Sequence, residues 1–184
     1  MIEKIVNYEE LVKKGCLFAP QAGFAYSHLN DKPVGTLYIF SCLGVYLKQK
    51  EVQIVAHLDF DKRIHLSQML DYLYKKKVIT NGSFDKACLI KSEKTNELTF
   101  QKSFDYLTSF IDDVQVLQKN YSPVNFAFDE FGKFYKINMA EGKMYSIMEV
   151  VDLLMKRLSR HELICANEAI EHKSFPSNFL KKLE

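Results

Sequence analysis

The sequence is poor in the features that mark several protein classes. It has only 7 glycines and 4 prolines, which excludes collagen-like and low-complexity chains. No apolar run approaches the roughly 20 residues that a membrane-spanning helix needs. The four cysteines include no Cys-x-x-Cys pair, so neither a zinc knuckle nor a disulfide framework is expected. The net formal charge is only +2, and no strong overall field would attract nucleic acid or anionic lipid.

What the sequence does contain is typical of one folded domain. Of its 184 residues, 47% are hydrophobic and 26% are charged, a balance and a length that suit a single core. We therefore expect residues 1–184 to form one domain. Residues 1–4 begin an amphipathic segment rather than a signal peptide. A cytoplasmic location with reduced thiols is the resulting expectation.

The spacing of apolar residues predicts a mixture of helices and strands. Asn7 and Glu10 have the spacing of a capping box, which predicts a short helix through Lys14 that Gly15 ends. Residues 16–34 are expected to be loop or irregular edge. The other expected elements are helices at 64–77, 99–111 and from 147 on, two strands within 37–60, and strands at 84–91, 114–117, 124–128 and 134–139. This order predicts an α+β fold of mixed, largely antiparallel β-sheet layers with flanking helices.

The two strands expected within residues 37–60 carry the functional prediction. Side chains alternate between the faces of a strand, so His57 falls on the more polar face of the second strand. Cys42 falls on the matching face of the first strand. If the turn between them centres on Gln49 and Lys50, then Cys42 lies directly opposite His57.

A thiol and an imidazole in this arrangement can cooperate in catalysis. Directly opposed residues have Cβ atoms roughly 4.5–5.5 Å apart, close enough for the Cys42 sulfur and the His57 ring to share a proton. The imidazole raises the thiolate fraction and later returns the proton to the leaving group. A three-residue turn would instead place His57 opposite Ser41, on the wrong face. The other cysteines gain no such partner, and the other histidines lack the spacing of metal ligands, so no metal or cofactor is expected.

Residues 35–60 resemble the chemoreceptor glutamine deamidase family CheD. The residues that carry the resemblance are Thr36-Leu37, Ser41-Cys42-Leu43-Gly44-Val45 and, after the turn, Ala56-His57. The resemblance implies the fold that CheD shares with the catalytic domain of cytotoxic necrotizing factor and other bacterial deamidase toxins. The chain is also similar to N-terminal asparagine amidohydrolases, whose His-x-Asp is matched by His57-Leu58-Asp59.

The resemblance also implies a role for each site residue. Cys42 would be the nucleophile, His57 the general base and acid, and Thr36 the residue that orients the imidazole. Six extended residues span about 20 Å, so Thr36 reaches the site only if the chain bends near residues 40–41. Without that bend, Asp59 would orient the ring instead.

The expected function is therefore deamidation of a glutamine or asparagine side chain in a protein substrate, through a thioester and without a cofactor. The expected partner is that protein substrate, not nucleic acid or a membrane. The toxin resemblance adds action as an effector inside a host cell. The alternatives are a non-catalytic protein-binding module on the same fold, and a transglutaminase or cysteine peptidase that uses the same dyad. The expected parts are an N-terminal helix and loop at 1–34, a catalytic hairpin at 35–60 and a C-terminal helical part at 145–184.

Overall fold

The computed structural model describes residues 3–58, 66–139 and 164–167. Eleven strands in this part of the chain form two sheets. The five-stranded sheet consists, in spatial order, of β1 (Ile5–Asn7), β10 (Phe134–Asn138), β9 (Val124–Phe128), β4 (Val34–Ile39) and β2 (Leu17–Ala19). The six-stranded sheet consists of β11 (Ile164–Cys165), β3 (Gly23–His28), β6 (Val52–Leu58), β5 (Leu43–Gln49), β7 (Lys86–Lys91) and β8 (Val114–Gln118).

Both sheets are antiparallel in the middle and parallel at their edges. The inner pairs, such as β5 with β6 and β4 with β9, run antiparallel, whereas the outermost pair at each described edge is parallel. The predicted α+β fold of mixed, largely antiparallel sheet layers with flanking helices is therefore confirmed. No helix of the described segments is both long enough and apolar enough to cross a membrane.

Three helices accompany the sheets in the described segments: α1 (Tyr8–Lys13), α2 (Leu66–Lys75) and α3 (Glu97–Thr108). The predicted short helix before Gly15 is confirmed, but its capping box is not. The side-chain oxygen of Asn7 does not cap α1 and instead accepts a hydrogen bond from Asn138 at 3.4 Å. Helix α3, by contrast, is capped by a side chain: Asn96 Oδ1 accepts the N–H of Thr99 at 3.0 Å.

The apolar residues form two main layers, one on each face of the six-stranded sheet. The layer beneath α2 and α3 contains Leu43, Val45, Leu47, Ile54, Ala56, Leu58, Leu66, Met69, Leu70, Leu73 and Leu107. The layer between the two sheets contains Val34, Ile39, Cys42, Tyr46, Val55, Cys88, Ile90, Val124, Phe126 and Phe128. The alternation predicted for the hairpin thus separates its side chains correctly between these two layers.

The expectation for residues 16–34 is wrong. This stretch contains β2 and β3, and β3 is an inner strand that pairs with β6 along its whole length. Its sequence, Gly-Phe-Ala-Tyr-Ser-His, lacks β-branched residues and follows Pro20, so the turn-forming residues dominate its local pattern. Burial of Phe24 and Ala25 in opposite layers stabilises the strand instead.

Residues 37–60 also differ from the prediction, because the chain changes sheets there. Strand β4 begins at Val34 and lies in the five-stranded sheet, whereas the hairpin β5–β6 lies in the other sheet. The helices predicted at 64–77 and 99–111 are confirmed as α2 and α3, and the four later strands are confirmed as β7 to β10.

The predicted C-terminal helix from residue 147 lies outside the described residues. Of the expected helical part at 145–184, the structure describes residues 164–167. Here Ile164 and Cys165 form β11, which pairs parallel with β3. The two residues that follow, Ala166 and Asn167, are helical.

Candidate active site

The hairpin that carries the candidate site has a different register from the predicted one. Gly44, and not Cys42, lies opposite His57. Because the shift is two residues, every side chain keeps its predicted face. Cys42 directly precedes β5 and lies in the same inter-sheet layer as Tyr46 and Val55. It therefore lies two residues before Gly44, the direct partner of His57.

The turn explains the shift. Gln49 pairs with Val52, so the two turn residues are Lys50 and Glu51. Lys50 has a φ of 52°, the left-handed conformation that tight hairpin turns require. Its N–H donates to Asp85 Oδ2 at 2.6 Å. No glycine or asparagine marks this turn in the sequence, which is why its position was predicted one residue too early.

The candidate site is buried between the two sheets. Thr36, His57 and Cys42 are 0%, 3% and 5% exposed. The face that looked polar in the sequence is therefore the inner face of the sandwich, where His57 and Gln53 alternate with Val55 along β6. Thr36 reaches the site from β4 in the opposite sheet, so the three predicted residues come from both layers.

A pair of hydrogen bonds at Thr36 fixes the protonation of the His57 ring. Thr36 Oγ1 donates to the carbonyl oxygen of Ala19 at 2.8 Å and lies 2.9 Å from His57 Nδ1. A hydroxyl has one proton, and here it is given to the carbonyl, so Oγ1 accepts a hydrogen bond from Nδ1–H. The neutral imidazole therefore carries its proton on Nδ1, and Nε2 bears the basic lone pair.

An irregularity in β4 and a bend after it bring Thr36 to His57. The register of β4 against β9 shifts between Thr36 and Ile39, and Tyr38 has a φ of 62°. The Tyr38 N–H donates to Asn125 Oδ1 at 2.7 Å, which stabilises this uncommon conformation. Residues 40–42 then form the bend that the sequence required. Thr36 thus has the orienting position, and Asp59 lies outside the described residues.

The backbone of His57 is held on both sides. It pairs with Gly44 of β5 and with Gly23 of β3, and its carbonyl oxygen accepts the N–H of Ala22 at 3.1 Å. Ala22 has a φ of 59°, which is uncommon for a residue other than glycine. Sequence reasoning missed this support because β3 itself was not predicted.

Gly44 allows the two sheets to approach closely beside His57. A Cβ atom at this position would lie 2.5 Å from Phe126 Cε1 and 3.3 Å from Ile90 Cβ. The ring of Phe126, in β9 of the opposite sheet, occupies the space that a side chain at residue 44 would need. The glycine of the Cys-x-Gly motif therefore has a packing role here.

The loop after β7 holds the backbone that precedes β5, and sequence reasoning did not identify it. The carbonyl oxygens of residues 40–42 all accept hydrogen bonds from the loop at 92–96. The donors, in the order of those acceptors, are Ser92 Oγ, the N–H of Asn96 at 2.8 Å and Thr95 Oγ1 at 2.9 Å. These hydrogen bonds join residues about 50 positions apart and are accepted by backbone carbonyls, so they require no particular residue types in residues 40–42 and produce no sequence motif.

Two of the other thiols, Cys16 and Cys88, differ chemically from a reactive cysteine. None of the four cysteines forms a disulfide. Burial raises the pKa of Cys88 to about 11 and raises the pKa of Cys16 still further. At neutral pH both groups therefore remain protonated and unreactive.

No protein-family model and no curated protein sequence matches the chain. Within residues 3–58, 66–139 and 164–167, no cluster of three or more histidine, cysteine, aspartate or glutamate side chains could hold a metal ion.

Proposed function

We propose that the protein is a cysteine-dependent amidohydrolase that converts a glutamine or asparagine side chain of a protein substrate to the carboxylate. Cys42 is the nucleophile, His57 the general base and acid, and Thr36 the residue that orients the ring. The observation that carries the proposal is the hydrogen bond from His57 Nδ1 to a threonine hydroxyl whose own proton is already donated to Ala19. This arrangement leaves Nε2 as the basic nitrogen.

The proposed reaction uses the His57 ring twice. His57 Nε2 takes the proton from Cys42 Sγ, and the thiolate attacks the carboxamide carbon. The tetrahedral oxyanion collapses to a thioester while His57 returns the proton to departing ammonia. A water molecule, deprotonated by the same nitrogen, then attacks the thioester, and the thiol leaves with the proton. The net change is an amide and water converted to a carboxylic acid and ammonia.

The resemblance of residues 35–60 to CheD and the deamidase toxins supports this choice of substrate. Deamidation replaces a neutral side chain by a negative one, which is sufficient to change a protein interface or a conformational switch. The reaction takes place in cytoplasm, either in the cell that makes the protein or in a host cell that receives it as an effector.

A second candidate is a non-catalytic protein-binding module on the same fold. Cys42 and His57 are only 5% and 3% exposed, which favours this candidate. A buried histidine needs a hydrogen-bonding partner whether or not it is catalytic, so the contact with Thr36 does not by itself require catalysis. In this interpretation Thr36 only satisfies the ring. Iodoacetamide would then label the four thiols slowly and without preference for Cys42.

The decisive experiment measures ammonia release from glutamine- and asparagine-containing proteins, together with the mass change of the substrate. We expect Cys42→Ser to reduce the rate by more than about a thousandfold, because the nucleophile is lost. Cys88→Ser is the matched control, since Cys88 is buried in the same inter-sheet layer but has no assigned role. Undiminished release by Cys42→Ser would defeat the assignment. Release of ammonia without incorporation of an added primary amine distinguishes deamidation from transglutamination.

A further inference from the structure

The loop at residues 92–96 is built around two buried hydroxyl groups. Ser92 is 1% exposed and Thr95 is 9% exposed. Thr95 Oγ1 accepts the N–H of Ser92 at 2.8 Å, and Ser92 Oγ accepts the N–H of Lys94 at 3.0 Å. Each oxygen also donates its proton to the segment before β5, Thr95 to the Cys42 carbonyl and Ser92 to the residue 40 carbonyl.

Two bonds from the loop set the direction of the peptide groups beside the proposed nucleophile. Ser92 Oγ binds the residue 40 carbonyl, whose peptide unit carries the Ser41 N–H, and the Asn96 N–H binds the Ser41 carbonyl, whose unit carries the Cys42 N–H. The Thr95 bond to the Cys42 carbonyl orients the next unit, which carries the Leu43 N–H. The peptide bonds within residues 40–42 are trans, so the N–H of each unit points opposite to its C=O. Because the carbonyls of residues 40 and 41 face the loop, the N–H groups of Ser41 and Cys42 point away from it.

The sheet order relates that direction to His57. Strand β5 lies between β7 and β6, and the loop at 92–96 follows β7. The loop is therefore on the β7 side of β5, whereas His57 is on the β6 side. The N–H groups of Ser41 and Cys42 are consequently directed toward the side of β5 on which the proposed base lies.

We propose that Ser92 and Thr95 are positioning residues for an oxyanion-binding donor of this site, the Ser41 N–H. Ser92 holds the carbonyl of the same peptide unit, and Thr95 holds Ser92 in place by accepting its N–H. The inference rests on the proposed function, because it assigns the residues that stabilise the intermediate formed when Cys42 attacks a carbonyl carbon. Loss of a single donor of this kind typically costs about 10²–10³ in rate. Loss of the hydroxyl that orients the donor should cost about tenfold or more.

Two reagents separate this role from a general effect on the thiol. Cys42 attack on p-nitrophenyl acetate forms an oxyanion before p-nitrophenolate leaves, whereas attack on iodoacetamide displaces iodide without one. Both rates are measured on the full-length protein, with modification at Cys42 located by mass spectrometry. The ratio of the two rates does not depend on the fraction of protein that is folded and active.

For Ser92→Ala we expect the ratio of acylation to alkylation to fall by about tenfold or more. Thr95→Val removes the acceptor of the Ser92 N–H and should lower the ratio in the same direction. Thr95→Ser, which keeps the hydroxyl, should retain the wild-type ratio. An unchanged ratio in both hydroxyl-free variants overturns the inference, and so does an equal fall of the two rates, which would indicate a structural role. Wild-type acylation no faster than that of Cys42→Ser would instead show that the proposed function itself is wrong.

Discussion

A single threonine hydroxyl decides which nitrogen of the His57 ring can act as a base. Thr36 has one proton to give and gives it to Ala19, so its oxygen accepts from Nδ1–H. The orienting residue is neutral, unlike the aspartate of many triads. It fixes the tautomer without adding a negative charge to a buried site.

Thr36→Val should therefore release the tautomer and weaken the fold. Valine has the shape of threonine but leaves the Ala19 carbonyl and the Nδ1–H group unsatisfied, at a cost of about 1–3 kcal/mol for each buried group. We expect deamidation to fall by about a hundredfold. Nitrogen-15 spectra of the ring should change from the Nδ1–H form to a mixture of tautomers.

Thr36→Ser is the matched control for that substitution, since it keeps the hydroxyl. It should retain the wild-type ring spectrum and most of the activity. A ring spectrum that Thr36→Val leaves unchanged would contradict the assignment of the tautomer to this residue. Urea unfolding of both variants measures the stability difference.

At the scale of elements, strands β5 and β9 approach each other closely beside the site. Gly44→Ala would place a Cβ 2.5 Å from a ring carbon of Phe126. Such overpacking costs about 1–3 kcal/mol, so the free energy of unfolding in urea should fall by that amount.

The double variant with Phe126→Leu tests the cause of that loss. If the ring is responsible, Gly44→Ala should be less destabilising once Phe126 is leucine, and the double-mutant cycle should give a coupling of at least about 0.5 kcal/mol. Additive effects of the two substitutions would mean that the clash with Phe126 does not explain the glycine.

The elements that the sequence predicted are those whose own pattern is strong. The apolar spacing of Leu66, Met69, Leu70 and Leu73 predicted α2, and alternation predicted the two faces of the hairpin. Strand β3 was not predicted, because pairing with the adjacent strands stabilises it and its own residues have little strand propensity. The hairpin register was not predicted correctly, because the left-handed turn residue is Lys50 and not a glycine or asparagine that would mark the turn in the sequence.

The candidate site was predictable to a similar extent. The motif resemblance named Cys42, His57 and Thr36, and the length of an extended chain required the bend that the structure contains at residues 40–42. The contacts of Ser92 and Thr95 were not predictable, because hydroxyl bonds to distant backbone carbonyls place no constraint on a local pattern.

Across the whole molecule, burial of phenols and thiols makes stability depend on alkaline pH. Burial raises the pKa of Cys88 from 9.0 to about 11 and the pKa of Tyr8 from 10.0 to about 12. Burial also raises the pKa values of Cys16 and Tyr46. The native state thus keeps protons that the unfolded chain has already released, and stability falls wherever the unfolded state binds fewer protons.

The free energy of unfolding should therefore change little from these groups below pH 9 and decline steadily from about pH 9 to 12. Urea titrations at a series of pH values measure the slope. Cys88→Ala should make the decline shallower, because one of the contributing groups is removed. Constant stability between pH 9 and 11 would contradict this account.

Thr36 belongs to one sheet, whereas His57 and the strand that Cys42 precedes belong to the other. A small slide of one layer over the other would alter the 2.9 Å contact between Thr36 and the ring while every strand kept its own ladder partners. The alignment of the two layers, and neither layer by itself, therefore sets whether the imidazole is correctly aimed.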